Sequence, residues 1–283
     1  MSLVLAHWSA VWPVLAVYAA LAGAHLTGMA RGRPAGPAAW REAAVFQAGL
    51  LVALLALVSP LAYWSAVYIW VRAMQDLALA IVAPGLAVLG APWTPLARCF
   101  GHRLETYVSS AAAPWWLRHP VAVVVGFNVV WLAWHLPALF DRVPASPVVA
   151  VARGLLYLGA GTWFWLQLIG SRPWQPFATP LRRAALLVGT VVADTVLGMV
   201  LVFGSGVLYP AYQNAAHHVM TVVDDQQLAG AVLWMGMLPP IIVAAVAVLM
   251  RWLGDEESAG LSSGFDGLLA PRPSAWPSRP RFR

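Results

Sequence analysis

Ionisable side chains interrupt the apolar stretches of this sequence, and their types and spacing could form buried ion pairs. Arg72 and Asp76 lie four positions apart, so on a helix they share one face and can pair. Arg153 and Asp194 lie in later apolar stretches, and we expect Asp194 to have a partner such as Arg72 or Arg153. Such groups either clamp two helices together or mark a path for ions or protons. The two interpretations stay open at this point.

A second set of side chains carries imidazole and thioether groups, which are ligands for copper. The set is His135, His217, His218 and Met220. His217 and His218 are adjacent and would point about 100° apart on a helix, which disfavours both in one site. We expect no resident cofactor, and copper held by members of this set is the alternative.

The composition indicates that these residues belong to a membrane protein. Of the 283 residues, 61% are hydrophobic and only 10% are charged, against about 25% charged in an ordinary soluble domain. This excludes a soluble enzyme and a disordered chain, and the single cysteine, Cys99, excludes a disulfide scaffold. The net charge of +6 comes from arginines scattered between apolar stretches, which argues against a nucleic-acid partner.

Seven stretches are apolar over the roughly 20 residues that a bilayer-spanning helix needs. The sequence therefore predicts an all-α polytopic membrane protein, a bundle of about seven transmembrane helices. The predicted spans are 4–28, 43–61, 66–90, 120–140, 148–169, 184–207 and 229–252.

Arginine is concentrated in alternate loops between these spans. The first, third and fifth loops are rich in arginine, whereas the second and sixth hold none. The positive-inside rule then predicts an N-terminus outside and a cytoplasmic C-terminus. On this topology Arg72, Asp76, His135, Asp141 and Arg153 all gather towards the outer side.

The chain divides by composition into two regions. Residues 1–252 form the predicted transmembrane domain. Residues 253–283 are rich in Gly, Ser, Pro and Arg, which predicts a disordered, basic cytoplasmic tail that could contact anionic lipid.

Five short segments along the membrane region form a pattern when taken together. They are Val82-Ala83-Pro84 with Val88-Leu89-Gly90-Ala91-Pro92; Trp134-His135-Leu136-Pro137-Ala138-Leu139-Phe140-Asp141; Gly161-Thr162-Trp163-Phe164-Trp165; Leu208-Tyr209-Pro210-Ala211-Tyr212; and Asp225-Gln226-Gln227-Leu228-Ala229-Gly230 followed by Trp234. Their order and spacing resemble the bacterial CtaG-type cytochrome c oxidase assembly proteins, which are seven-span proteins implicated in copper delivery or insertion. The resemblance covers roughly residues 45–252, and the Asp-Gln-Gln-Leu-Ala-Gly segment is its most specific part.

The chain departs from that family where the family carries histidines. The family has two histidines four apart on the third span, where this sequence has Arg72 and Asp76, although Gln75 is retained. It also has an acidic residue and a histidine opening the fifth span, where this sequence has Arg153 and Gly154. Arginine has no lone pair for a metal and adds positive charge. The resemblance therefore implies the family fold with a degenerate copper site.

The resemblance also implies a function and a set of residues to test. The expected function is that of an integral membrane assembly or accessory factor for a respiratory cytochrome c oxidase. It would be a multi-pass protein of the bacterial plasma membrane, with oxidase subunits or other membrane proteins, and the lipid bilayer, as partners. The expected binding or structural cluster comprises Arg72, Gln75, Asp76, His135, Asp141, Arg153, Asp225, Gln226 and Gln227.

Two alternatives remain open. One is a copper-binding or copper-delivery protein that uses His135 with His217 or His218. The other is a proton or ion transporter that uses Asp76 and Asp194. We expect no enzymatic activity, because no nucleophile and base are suggested by the sequence.

Overall fold

The structure is a computed structural model that describes residues 7–8, 11–32, 36–101, 115, 118–213 and 219–269, with no side chains described for residues 251 and 254–269. Within these residues the chain is built from helices. They are α1 (Trp12–Gly32), α2 (Pro37–Val58), α3 (Pro60–Trp64), α4 (Ile69–Leu77), a π-helix (Ala78–Val82), α5 (Ala83–Leu89), α6 (Trp93–Phe100), α7 (Pro120–Trp134), α8 (Pro137–Phe140), α9 (Arg142–Ala145), α10 (Pro147–Leu168), α11 (Pro180–Phe203), a 3-10 turn (Pro210–Tyr212) and α12 (Val222–Leu269).

The described helices confirm the predicted all-α, multi-span architecture. Six helical segments are long and apolar enough to cross a membrane, and α7 with α8–α9 makes a seventh if that bent pair is one span. The pair bends by 71° at the break before Pro137. Which end of the bundle faces the cytoplasm stays a prediction.

Several helix boundaries differ from the sequence prediction, mainly because proline begins the helices. α2 begins at Pro37 and α11 at Pro180, since a proline in the first turn costs no hydrogen bond. The first span begins at Trp12 and runs to Gly32, while α11 ends at Phe203, short of the predicted residue 207. α12 continues to Leu269, beyond residue 253, and the disorder of the tail stays a prediction.

Hydroxyl side chains cap three of the helices that begin with proline. The side chain of Ser59 accepts a hydrogen bond from the backbone N–H of Leu61, and Ser146 and Thr179 accept corresponding bonds at the starts of α10 and α11. These bonds satisfy backbone donors that have no partner inside the helix. The short segments between spans are thereby fixed in direction.

The third span, formed by α4, the π-helix and α5, is the centre of the bundle. In its most apolar stretch 72% of residues are buried, against 33% or fewer in each of the other candidate spans. Surrounding helices shield it from lipid, so polar side chains are tolerated here only if other protein groups bind them.

The middle of this span is widened into a π-helix just before Pro84, which has no N–H to continue the hydrogen-bond ladder. Trp165 of α10 donates from Nε1 to the carbonyl oxygen of Ile81 at 2.8 Å. Gly161 lies directly against the backbone carbonyl of Ala80, where a Cβ atom would overlap it. Proline, glycine and tryptophan in these segments therefore act together to join α10 to the irregular turn.

Candidate functional site

The site begins with polar side chains on one face of α4. Arg72 and Asp76 are fully buried, and Gln75 is almost fully buried. Arg72 Nε lies 3.8 Å from Asp76 Oδ2, which confirms the pairing that the four-residue spacing predicts. The third span thus carries one cation and one anion in contact at its protected core.

Arg153 of α10 completes the charged group. Its Nη1 donates to Asp76 Oδ1, and its Nη2 donates to Gln75 Oε1 at 2.6 Å. Gln75 in turn donates from Nε2 to the carbonyl oxygen of Ala56 on α2 at 2.7 Å. We call Arg72, Gln75, Asp76, His135 and Arg153 the buried polar cluster.

These contacts join three separate spans through α2, α4 and α10. Asp76 lies between two guanidinium groups: Arg153 hydrogen-bonds to its Oδ1, whereas Arg72 is an ion-pair neighbour of Oδ2 at 3.8 Å, beyond hydrogen-bond distance. The cluster therefore works as a polar clamp inside the apolar bundle.

Arg72 also holds the break between α7 and α9 against the third span. Its Nη1 donates to the carbonyl oxygen of Phe140 at 2.8 Å and contacts the Tyr212 hydroxyl at 3.3 Å. Its guanidinium carbon lies 3.7 Å from the centre of the Phe140 ring, a cation–π distance. A hydrogen bond and a ring face thus both stabilise this guanidinium.

His135 ends α7 and faces the same carboxylate. Its Nδ1 lies 2.8 Å from the carbonyl oxygen of Trp131, and because a carbonyl only accepts, Nδ1 carries the hydrogen. Neutral His135 therefore has its lone pair on Nε2, which lies 3.9 Å from Asp76 Oδ2. That distance is too long for a hydrogen bond, so His135 lies beside the clamp and is not bonded into it.

Two tyrosines of the loop before α12 cover the cluster. Tyr209 donates from its hydroxyl to the carbonyl oxygen of His135 at 2.9 Å, and Tyr212 donates to that of Ser65 at 3.0 Å. The Phe140 ring stacks on Tyr209 with 3.8 Å between ring centres. Burial raises the pKa of both the Tyr209 and the Tyr212 phenols, which keeps both as hydrogen-bond donors.

The Asp225-Gln226-Gln227 segment lies at the start of α12 and fixes neighbouring backbone. Asp225 accepts hydrogen bonds from the backbone N–H groups of Ile69 and Trp70, both at 2.9 Å, and so caps α4. Gln226 accepts from the Leu208 N–H at 2.8 Å, and Gln227 donates to the carbonyl oxygen of Gly204. The segment positions the third span and the covering loop without contacting the charged atoms of Asp76.

Asp141 lies near the clamp, where its carboxylate interacts electrostatically with Arg72. Asp141 lies half-buried at the end of α8, and Met220 lies half-buried just before α12. His217 and His218 lie outside the described residues. Within the described ranges, no three His, Cys, Asp or Glu residues are grouped so that they could hold a metal ion.

The prediction that Asp194 pairs with an arginine such as Arg72 or Arg153 is wrong. Asp194 lies in the middle of α11 and is 2% exposed, yet its described hydrogen-bond partner is Trp131, whose Nε1 donates to Oδ1 at 3.1 Å. Arg72 and Arg153 are both directed to Asp76 instead. A neutral indole donor thus replaces the expected cation.

Sequence reasoning missed three aromatic residues of the site. Phe140 lies against Arg72, Tyr157 lies 5.9 Å from the guanidinium carbon of Arg153, and Trp131 contacts His135 as well as Asp194. Tyr157 follows Arg153 by four positions, a spacing that could have indicated it. The other two depend on how α7 and α8 are rotated, which spacing along one helix does not report.

Comparison with protein families gave a match that covers most of the chain. The family model described as cytochrome c oxidase caa3 assembly factor (Caa3_CtaG) matches residues 23–255. The match confirms the resemblance seen over residues 45–252 and extends it into α1. No curated protein and no solved structure matched the chain.

Proposed function

The chain belongs to the cytochrome c oxidase caa3 assembly factor family, and from this premise we propose that it is a non-catalytic membrane assembly factor whose former metal site has become a structural clamp. It acts in the bacterial plasma membrane on a respiratory oxidase, by holding oxidase subunits or an assembly intermediate in the bilayer. The clamp in this proposal is supported by one observation, which is that Asp76 is buried between Arg72 and Arg153.

The donor atoms of the cluster are poorly suited to copper. Copper ions bind imidazole nitrogen and sulfur ligands most strongly, and the cluster offers one such atom, His135 Nε2. The two guanidinium groups supply no lone pair and place two positive charges beside it. Asp76, the nearest anion, is already bonded to Arg153. No step of the proposed function therefore passes through copper at this cluster.

The clamp instead holds several segments of the bundle together. Arg153 ties α10 to α4, Gln75 ties α4 to α2, and Arg72 ties α4 to the break after α7. An assembly factor needs such rigidity because a partner helix packs best on a surface that does not rearrange. The lipid-facing side of the bundle remains available for membrane partners, with large apolar side chains exposed along α11.

One experiment tests both halves of the proposal. In a strain of the source organism that lacks the gene, the wild-type chain and the variants His135→Gln and Asp76→Asn are expressed to equal levels. Oxidase content is read from the haem difference spectrum of the membranes, and oxidase subunits are sought in pull-downs with each chain. Copper is measured on the same purified samples.

We expect the wild-type chain to restore the oxidase and His135→Gln to restore it almost fully, because His135 is not bonded into the clamp. Asp76→Asn should fail, because it leaves two buried guanidinium groups without their carboxylate. No effect of gene loss on the oxidase would contradict the assembly role. About one tight copper ion per chain, lost in His135→Gln together with oxidase assembly, would contradict the clamp and favour a copper-binding protein.

The copper alternative rests on one observation. His135 Nε2 is buried and has no hydrogen-bond partner among the described residues. His217, His218 and Met220 would have to supply the further ligands. Combined replacement of His217 and His218 by glutamine should leave oxidase assembly unchanged under our proposal, and would abolish it under the alternative.

A further inference from the structure

A polar cleft opens at the arginine-rich end of the bundle, away from the buried polar cluster. It has a volume of about 370 Å³ and lies between α1, α2, α6 and the segment after α10. Arg98, Arg172 and Glu42 are its charged lining residues, and His25 and Met29 lie deeper in its wall. None of these residues takes part in the clamp.

Arg98 is held in place by the packing of α6 on α1. Its Nη1 donates to the carbonyl oxygen of Gly28 at 3.1 Å, near the end of α1. Arg31 donates in turn to the carbonyl oxygen of Arg98, and thereby ties the end of α6 to α1. The guanidinium of Arg98 is therefore fixed in the cleft wall, with donors that Gly28 does not use.

Arg172 lies across the cleft, and its ion-pair partner among the described residues is the partly exposed carboxylate of Glu42. Its Nη2 lies 2.6 Å from Glu42 Oε1, and the two side chains are 75% and 37% exposed. Ion pairs this exposed contribute little to stability. An anion of higher charge density can therefore displace Glu42 and bind Arg172. A second polar cleft of about 290 Å³ shares Glu42 and Arg172 and extends the polar surface to Ser171 and Gln175.

The wall below the arginines is largely apolar. Met29 and Ala43 are buried there, and Gly90, Ala91 and Pro95 complete the lining. His25 accepts a hydrogen bond on Nδ1 from Gln47 at 3.2 Å, so neutral His25 keeps its own hydrogen on Nε2. The cleft is thus cationic at two points and apolar between them.

We propose that this cleft binds the headgroup of an anionic phospholipid, with Arg98 and Arg172 on the phosphate. Guanidinium groups match phosphate oxygens in geometry as well as charge. The cleft lies where α1 ends and α2 begins, at the ends of two candidate membrane spans, so we expect it to lie near the depth of lipid phosphates. Basic pockets between membrane helices are known to take anionic lipid headgroups. The apolar wall favours a lipid glycerol and its first methylene groups over a free ion.

The test uses the full chain in detergent, with lipid binding measured by native mass spectrometry and by titration. The lipids are phosphatidylglycerol and phosphatidylcholine, and inorganic phosphate is added as a competitor. The variants are Arg98→Gln, Arg172→Gln and Glu42→Gln. Arg182→Gln is the matched control, because Arg182 is an exposed arginine at the same end of the bundle that does not line the cleft.

We expect phosphatidylglycerol to bind in preference to phosphatidylcholine, and each cleft arginine variant to bind it about fivefold more weakly. Glu42→Gln should bind it more tightly than the wild type, because the competing carboxylate is gone, and this gain cannot come from misfolding. Arg182→Gln should match the wild type.

Three results with the lipids and variants would overturn the proposal, and a fourth comes from the phosphate competition. The three are equal binding of the two lipids, an equal loss in the Arg182→Gln control, and unchanged or weaker binding in Glu42→Gln. Displacement of the lipid by millimolar inorganic phosphate would show a site for free phosphate, which also contradicts the lipid assignment.

Discussion

Arg153 and Asp76 are separated by 77 positions in the chain and form an ion pair in the centre of the bundle, where both side chains are almost completely buried. Arg72 lies on the other oxygen of the same carboxylate. The three residues therefore contain two cations and one anion. Because the cations outnumber the anion, we can predict which substitution destabilises the protein most.

Asp76→Asn should destabilise the protein more than Arg153→Gln. The first change removes the carboxylate that lies between two buried guanidinium groups, at a cost of about 3–5 kcal/mol. The second leaves Arg72 paired with Asp76 and keeps an amide that can bond to Gln75. Thermal unfolding in detergent, followed by circular dichroism, gives the order, and a larger effect of Arg153→Gln would contradict the charge count.

Asp194→Asn should have little effect, in contrast to Asp76→Asn. Asparagine keeps an oxygen that can accept the hydrogen bond from Trp131 Nε1, and no cation among the described residues is paired with Asp194. We expect a smaller loss in the free energy of unfolding than the loss of about 3–5 kcal/mol expected for Asp76→Asn. Severe destabilisation by this neutral replacement would mean that a charged Asp194 has a partner beyond the described contacts.

Asp225→Ala should loosen the start of α4. The buried N–H group of Ile69 and the partly buried N–H group of Trp70 lose their acceptor, which costs about 1–3 kcal/mol for the buried group and less for the other. Faster hydrogen exchange at these two amides is the direct measurement. Asp224→Ala is the matched control, because Asp224 is exposed and its hydrogen bonds within the described residues are to nearby Thr221. Equal exchange in the two variants would argue against the cap.

Gly161→Ala should disrupt the packing of α10 on the π-helix. The added methyl group would overlap the carbonyl of Ala80 and contact Pro84, so overpacking should destabilise the bundle by about 1–3 kcal/mol. Gly159→Ala, two residues away, has nothing within 4 Å of its new methyl group. That control should be neutral or slightly stabilising, because alanine favours helix. Similar melting temperatures for the two variants would refute the close approach.

We predict that the protein loses stability at alkaline pH because Tyr209 is buried in its protonated form. Burial raises the pKa of its phenol, so the folded protein holds this proton more tightly than the unfolded chain does. The stability it contributes is present below about pH 10, the ordinary tyrosine pKa, and is lost as the pH rises above it. Tyr209→Phe should therefore show a shallower decline in unfolding temperature above pH 10. Exposed Tyr63, changed to Phe, should leave the decline as steep as in the wild type.

Local sequence patterns predicted the parts of the site that lie on one helix. The four-residue spacing of Arg72 and Asp76 was sufficient to predict their contact, and alternating arginine-rich loops placed Arg153 near them. The contact between Arg153 and Gln75 and the indole partner of Asp194 depend on how whole helices rotate against each other. That rotation is set by packing contacts between helices, such as Gly161 on Ala80. The spacing of residues within one helix does not predict such contacts.

The irregular elements were the hardest to predict. Hydropathy treats residues 66–90 as one apolar span, whereas the structure divides it into α4, a π-helix and α5. The carbonyl of Ile81 could be matched with Trp165 only once α10 was placed beside it. Likewise the bend before Pro137 gives Arg72 a backbone oxygen at Phe140, and no hydropathy window resolves a turn that short.

The cap that Asp225 places on α4 joins groups separated by 156 and 155 positions, and this separation bears on biogenesis. Ribosomes release the third span long before residue 225 is synthesised, so the nascent chain enters the bilayer with Arg72, Asp76 and two N–H groups still awaiting their partners. Insertion machinery or neighbouring nascent helices must shelter that segment until α10 and then α12 arrive. The third span therefore reaches its final hydrogen bonding only after α12 has been synthesised. A chain truncated before residue 225 would lack the cap on α4.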